Sequence, residues 1–129
     1  MLAAHNRVRQ SVGVPPLAWS EHLAGVAQQW ANQLLATNGF RHSGGPYGEN
    51  LFEIMGGAAT PDHVVNDWAA EASGYDYKRN SCSGRCGHYT QLVWRKTKSV
   101  GCAVARNGQR EMWVCEYDPP GNFVGERPY

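Results

Sequence analysis

Apolar positions recur at helical spacing early in the chain and alternate with period two late in it, and this rhythm divides the sequence into elements. Residues 2–11 carry a short helical pattern that Gly13-Val14-Pro15-Pro16 stops. Leu23, Val26, Ala27, Trp30, Ala31 and Leu34 give the strongest helix signal. Ser20 is a suitable N-cap for it, Glu21 suits the first turn, and Asn38-Gly39 ends it. Residues 40–50 read as a glycine-rich connector, and residues 51–55 as a short apolar turn before Gly56-Gly57. Thr60-Pro61 starts the next helix, on which Val64, Trp68, Glu71 and Ala72 share one face. Residues 73–85 form a polar loop containing Tyr75 and Tyr77, and residues 88–94 a short helix. Two alternating stretches, 99–106 and 110–117, flank Asn107-Gly108 as a β-hairpin. Residues 118–129, with three prolines and two glycines, should wrap the surface without regular structure.

The cysteines and composition sharpen this outline. The 129 residues make one domain, and no repeat, low-complexity run or linker interrupts it. A hairpin loop of Gly108-Gln109 sets Cys102 opposite Cys115, and a loop of Asn107-Gly108 sets Cys102 opposite Trp113 with Cys115 diagonal. Both registers keep the two cysteines on one face, so Cys102 pairs with Cys115, and Cys82 pairs with Cys86 by default. An even cysteine count points to disulfides and a secreted setting. The net charge is +1 and no basic run exceeds two residues, which argues against nucleic acid as a partner. No apolar run approaches the ~18 residues of a membrane span, and the first residues read as a helix of a mature or trimmed domain.

Candidate chemistry centres on His42, Glu49, Glu71 and His88. Imidazoles are common zinc ligands, and carboxylates either bind directly or orient the ligand. The separations of 7, 22 and 17 residues are long, and there is no H-E-x-x-H unit. Spacing alone therefore favours two surface histidines and two solvated carboxylates. Glu71 on a Val/Trp face must find a partner or snorkel to water. His22 and His63 read as solvated first-turn residues, and His5 as a capping or packing residue. Tyr75 and Tyr77 either line an apolar site or close over the hairpin. There is no G-x-S-x-G elbow and no phosphate loop.

Residues 87–97, Gly-His-Tyr-Thr-Gln-Leu-Val-Trp-Arg-Lys-Thr, resemble the first signature of the CAP superfamily of cysteine-rich secretory proteins, antigen 5 and pathogenesis-related protein 1. Residues 114–123, Val-Cys-Glu-Tyr-Asp-Pro-Pro-Gly-Asn-Phe, resemble the second. His5-Asn6-x-x-Arg9, His42-Ser43-x-x-x-x-Gly48-Glu49-Asn50 and Trp68-x-x-Glu71 resemble further family positions in the same order. The resemblance spans residues 1–129 as a single CAP domain, and lies nearest the plant pathogenesis-related protein 1 branch.

It implies an α+β fold, an α-β-α sandwich with a small antiparallel sheet between helical layers. It implies that His42, Glu49, Glu71 and His88 form a tetrad in a central cleft. The histidines there can hold zinc or another divalent metal not required for the fold, with the carboxylates second-shell or water-mediated. It further implies a secreted, monomeric, non-enzymatic module that binds a sterol or fatty acid and contacts membrane surfaces, with a role in defence. Tyr75 and Tyr77 are the candidate lipid contacts. Two alternatives accompany this reading: a metal-dependent hydrolase using Glu49 or Glu71, and a precursor releasing residues 118–129 as a signalling peptide. The chain departs from the family pattern at Glu116, where Asn is usual, and at Trp113. It also has four cysteines where plant relatives commonly have six. The absent bridge tied the segment before His42 to the hairpin, so packing must replace a link worth about 2–5 kcal/mol.

Overall fold

The structure, a computed structural model, describes all 129 residues. Its elements run α1 (Leu2–Ser11), β1 (Ala18–Trp19), α2 (Glu21–Ala36), β2 (Gly48–Met55), α3 (Pro61–Ala69), a 3-10 turn (Ala70–Gly74), β3 (Tyr75–Asp76), β4 (Ser81–Cys82), α4 (Gly87–Leu92), β5 (Ser99–Arg106) and β6 (Arg110–Asp118). Four strands form one sheet in the order β1-β5-β6-β2, and β3 with β4 form a minimal second pair. The main sheet is antiparallel except for the two-residue β1, which runs parallel to β5.

Period-two alternation gives the sheet two apolar faces. Met112 and Val114 of β6 and Leu51 of β2 pack on Ala27, Ala31 and Leu34 of α2. Trp113, Cys115 and Tyr117 point the other way, onto α1, α3 and α4 through Ala4, Val64, Trp68, Tyr89 and Leu92. The result is the expected α-β-α sandwich. Gly101, Ala103 and Ala105 of β5 present small side chains to α2, so the helix sits close. A methyl on Gly101 would run into the backbone of Ser20, Leu23 and Ala24.

The local signals for helix ends act as read from the sequence. Ser20 Oγ accepts from Leu23 N at 3.1 Å, and Thr60 Oγ1 accepts from His63 N at 3.1 Å. Asn38 takes the left-handed conformation (φ 52°) that turns the chain out of α2. In the hairpin, Arg106 faces Glu111 and Cys102 faces Cys115, which selects the Gly108-Gln109 loop. Asn107 Oδ1 fixes it by accepting from Gln109 N and Arg110 N. Both disulfides, Cys82–Cys86 and Cys102–Cys115, are formed.

Several elements differ from the sequence reading. The apolar turn at 51–55 and the end of the connector are one strand, β2, paired along its whole length with β6. Leu51 enters one core while Phe52 and Ile54 pack against the other, and a strand apolar on both faces shows no clean alternation. Residues 75–76 and 81–82 pair as β3 and β4 inside the expected loop. Glu71 lies in the 3-10 turn that follows α3 rather than on the α-helix itself.

Arg110 links the segment before His42 to the hairpin. Its buried guanidinium donates to the carbonyls of Leu34 (3.3 Å) and Gly39 and to Glu53 Oε2 (2.7 Å). It thereby ties the end of α2 and the segment before His42 to the start of β6. Trp30 Nε1 adds a bond to Arg41 O at 3.0 Å.

Candidate functional site: two histidine–carboxylate pairs around an edge strand

Strand β2 is an edge of the sheet, and its alternation sends Glu49 to one face and Asn50 to the other. His42 Nδ1–H donates to Glu49 Oε1 at 2.8 Å, and Ser43 N donates to the same oxygen at 3.0 Å. Glu49 is buried in this contact, whereas the His42 side chain is 67% exposed. Around the strand edge, His88 Nδ1–H donates to Glu71 Oε2 at 2.6 Å. Glu71 Oε1 accepts from His88 N (2.9 Å) and Tyr89 N (3.1 Å) at the start of α4. Glu71 therefore finds partners and does not snorkel, and its Val/Trp face turns inward. Trp68 stacks on the His88 ring, 5.9 Å between centroids and 19° between planes. Asn50 Nδ2 joins the layers by donating to His88 O (3.1 Å) and Tyr117 Oη (3.2 Å).

A cavity of about 310 Å³ is lined by His42, Glu49, Asn50 and His88, with Phe40, Arg85 and Asn122 among its other walls. Each histidine gives Nδ1 to a carboxylate and keeps Nε2 free of protein partners. That is the carboxylate–histidine arrangement that presents a basic Nε2 to a divalent cation, so the donor chemistry fits a metal held by two imidazoles. No three of the four residues bring ligand atoms within 4.8 Å of one another. The three-donor cluster that does close, His5, Cys102 and Cys115, has both sulfurs committed to a disulfide.

Sequence reasoning marked Glu116 as a departure but missed what it touches. Glu116 is fully buried and directly opposite Glu49 in the β2–β6 register. Glu49 Oε2 and Glu116 Oε1 are buried without another partner, and one proton shared between them satisfies both. Burial, followed by the neighbouring Glu49, pushes the Glu116 carboxyl up to about 9. Burial acts to raise Glu49 as well, but hydrogen bonds from Glu116, Ser43 and His42 outweigh it and hold Glu49 below its ordinary value. Pairing Glu49 with Glu116 required knowing that β2 is a strand.

The other histidines stay apart from this cleft. His5 is a buried core residue, its Nε2 2.8 Å from Tyr117 Oη and its Nδ1 2.9 Å from Met1 O, and burial pushes it down to about 4. Its neighbour Arg9, also buried, donates to the carbonyls of Pro15, Leu92, Trp94 and Thr97. His22 meets Tyr47 at the surface.

A second cavity of about 500 Å³ adjoins the first, sharing Arg85, Gly87 and Asn122. Tyr75, Trp94, Phe123 and the Cys82–Cys86 disulfide supply much of its apolar wall. The two candidate tyrosines part company here. Tyr75 lines the cavity, whereas Tyr77 stacks on Tyr129 with centroids 4.9 Å apart and planes 8° apart.

The sequence profile of the cysteine-rich secretory protein family, CAP, matches residues 2–117. Pathogenesis-related protein 1 of Arabidopsis thaliana is 46% identical over 127 residues, 98% of this chain and 78% of the relative. Pathogenesis-related protein 1A of Nicotiana tabacum is 48% identical over 131 residues, 99% of this chain and 78% of the relative. Schistosoma mansoni venom allergen-like protein 4 superposes with a TM-score of 0.77 at 29% identity, covering 99% of this chain and 90% of that one. A crystal structure of NaASP2 with Zn2+ superposes with a TM-score of 0.81 at 24% identity, covering 99% and 82%, and bears on the fold alone.

Proposed function

The chain belongs to the cysteine-rich secretory protein (CAP) family, and we propose that it is an extracellular, defence-related member that binds a sterol or fatty acid beside a metal-binding histidine pair. The observation that carries the lipid reading is the cavity of about 500 Å³ walled by Tyr75, Trp94, Phe123 and the Cys82–Cys86 disulfide. Its size suits a lipid-sized ligand, and burial of hydrocarbon contributes roughly 25 cal/mol per Å². Similarity to pathogenesis-related proteins supports the defence role, and two formed disulfides support an oxidising compartment.

His42 and His88 would hold a divalent metal through Nε2, with Glu49 and Glu71 orienting the rings from behind. A bound cation would supply Lewis acidity in the cleft. The protein's own part is to fix both tautomers and to keep Glu49 ionised by placing the shared proton on Glu116. Catalytic zinc sites generally use three protein ligands, which this set does not bring together, so binding is the reading the geometry favours over hydrolysis.

Titration with labelled cholesterol or ergosterol, with and without zinc, tests the reading. Saturable binding is the expected result, and no binding of sterol or fatty acid up to the solubility limit overturns it. Calorimetric titration with zinc should show one site that is lost in a His42→Ala/His88→Ala double variant.

A further inference from the structure

The cations of this chain are segregated. Residues 77–110 hold eight of its twelve Lys and Arg and none of its eleven carboxylates. Seven of those eight, all but Arg110, are exposed. Three of them, Arg85, Arg95 and Lys96, line two adjoining cavities beside an exposed apolar turn. Val124 is fully solvent-exposed, and Phe123 before it is 53% exposed. The turn continues through Gly125, whose positive φ of 85° suits glycine.

Position makes these facts one feature. Phe123, Val124 and Arg85 line the same cavity of about 500 Å³. Trp94 is shared between that cavity and an adjoining groove lined by Arg95, Lys96 and Arg127. Glu126 is the one carboxylate side chain on either wall. We propose that the Phe123–Val124 turn, flanked by Arg85, Arg95 and Lys96, is a membrane-contact tip that seats the mouth of this cavity on an anionic phospholipid surface.

The chemistry selects a bilayer over a protein. A stable protein interface needs about 800 Å² per partner around an apolar centre depleted of charge. Two adjacent apolar side chains with a cationic fringe fall far short of that. They suit interfacial insertion, where a few apolar groups enter the headgroup boundary while Lys and Arg meet anionic lipid. The purpose of the contact, delivery of a lipid to or from the cavity, rests on the lipid-binding reading above. Adhesion to the membrane does not, and it can be measured without any sterol.

The test is co-sedimentation of the whole chain with sterol-free phosphatidylcholine vesicles, with and without phosphatidylserine. Binding should require phosphatidylserine and weaken as salt is raised. Val124→Asp should lower it by about tenfold, because an ion replaces the inserted group. Arg85→Glu/Lys96→Glu should lower it by about as much or more. Val124 is fully exposed, so an unchanged unfolding midpoint will show that its variant still folds. Equal binding to both vesicle types, equal binding by Val124→Asp, or concentration-dependent self-association through the tip without vesicles would overturn the proposal.

Discussion

Glu49 and Glu116 face each other directly across the β2–β6 ladder, and one oxygen of each is buried with no other partner. Two ionised carboxylates cannot share such a site, so one proton stays between them. Burial and Glu49 raise the Glu116 carboxyl from 4.5 to about 9 in the folded chain. The folded protein therefore binds more protons than the unfolded one between those values, and stability falls as pH rises through that window. Glu116→Gln retains a donor for Glu49 without the titration. It should flatten this slope and raise the melting temperature at pH 8 by about 3–6 °C. Thermal melts of both proteins at pH 5 and pH 8 check this, and parallel slopes would contradict it.

His5 has the opposite sign. Burial lowers it from 6.5 to about 4, so it stays neutral in the fold while the unfolded chain takes up a proton. Its contribution is present above pH 6.5 and is lost as pH falls from there towards 4. Because this window overlaps that of Glu116, variants are needed to separate them. His5→Gln should reduce the acid-side loss of stability measured by denaturant midpoints between pH 7 and pH 4.5.

Arg110 holds the end of α2 and the segment before His42 against β6. Arg110→Ala leaves Glu53 and two carbonyls without their cation, and should cost about 3 kcal/mol in denaturant unfolding. The loss should be local as well as global. The Ser43 amide, which donates to Glu49, should exchange with solvent faster than in the parent.

The C-terminal segment is held at several points. Thr97 Oγ1 donates to Pro119 O (2.8 Å), and Gly121 N donates to Gln91 Oε1 (3.0 Å). Arg127 donates to the carbonyls of Tyr77 and Lys78, and Arg95 N donates to Pro128 O. Limited proteolysis of the native chain should leave residues 118–129 attached, with their loss following global unfolding. Early release of a fragment ending at Tyr129 from folded protein, seen by mass spectrometry, would instead favour the peptide-precursor reading.

Helix ends and the Cys102–Cys115 pairing were legible because local geometry sets them, through Ser20, Thr60 and the period-two alternation of the strands, whereas the hairpin register stayed open between two loops until β5 and β6 were placed. The inward turn of Glu71 was half legible, since periodicity put it on an apolar face but could not supply His88 as its partner. The β2 strand was hidden because a strand apolar on both faces lacks the usual alternation, and with it went the contact between Glu49 and Glu116. Arg110 gave no signal at all. A lone arginine at a hairpin start reads as solvated until the end of α2 is placed beside it.

Lipid binding in the cavity of about 500 Å³ is the central proposal, and energy transfer to a fluorescent sterol tests it most directly. Trp94 lines the cavity, so dehydroergosterol bound there should show saturable sensitised emission with one site per chain. Ser81→Phe places a ring into the cavity from an exposed wall position and should abolish that emission while leaving the unfolding midpoint unchanged. Saturable binding that ignores Ser81→Phe, or no saturable binding in the parent, would contradict the assignment of this cavity as the lipid site.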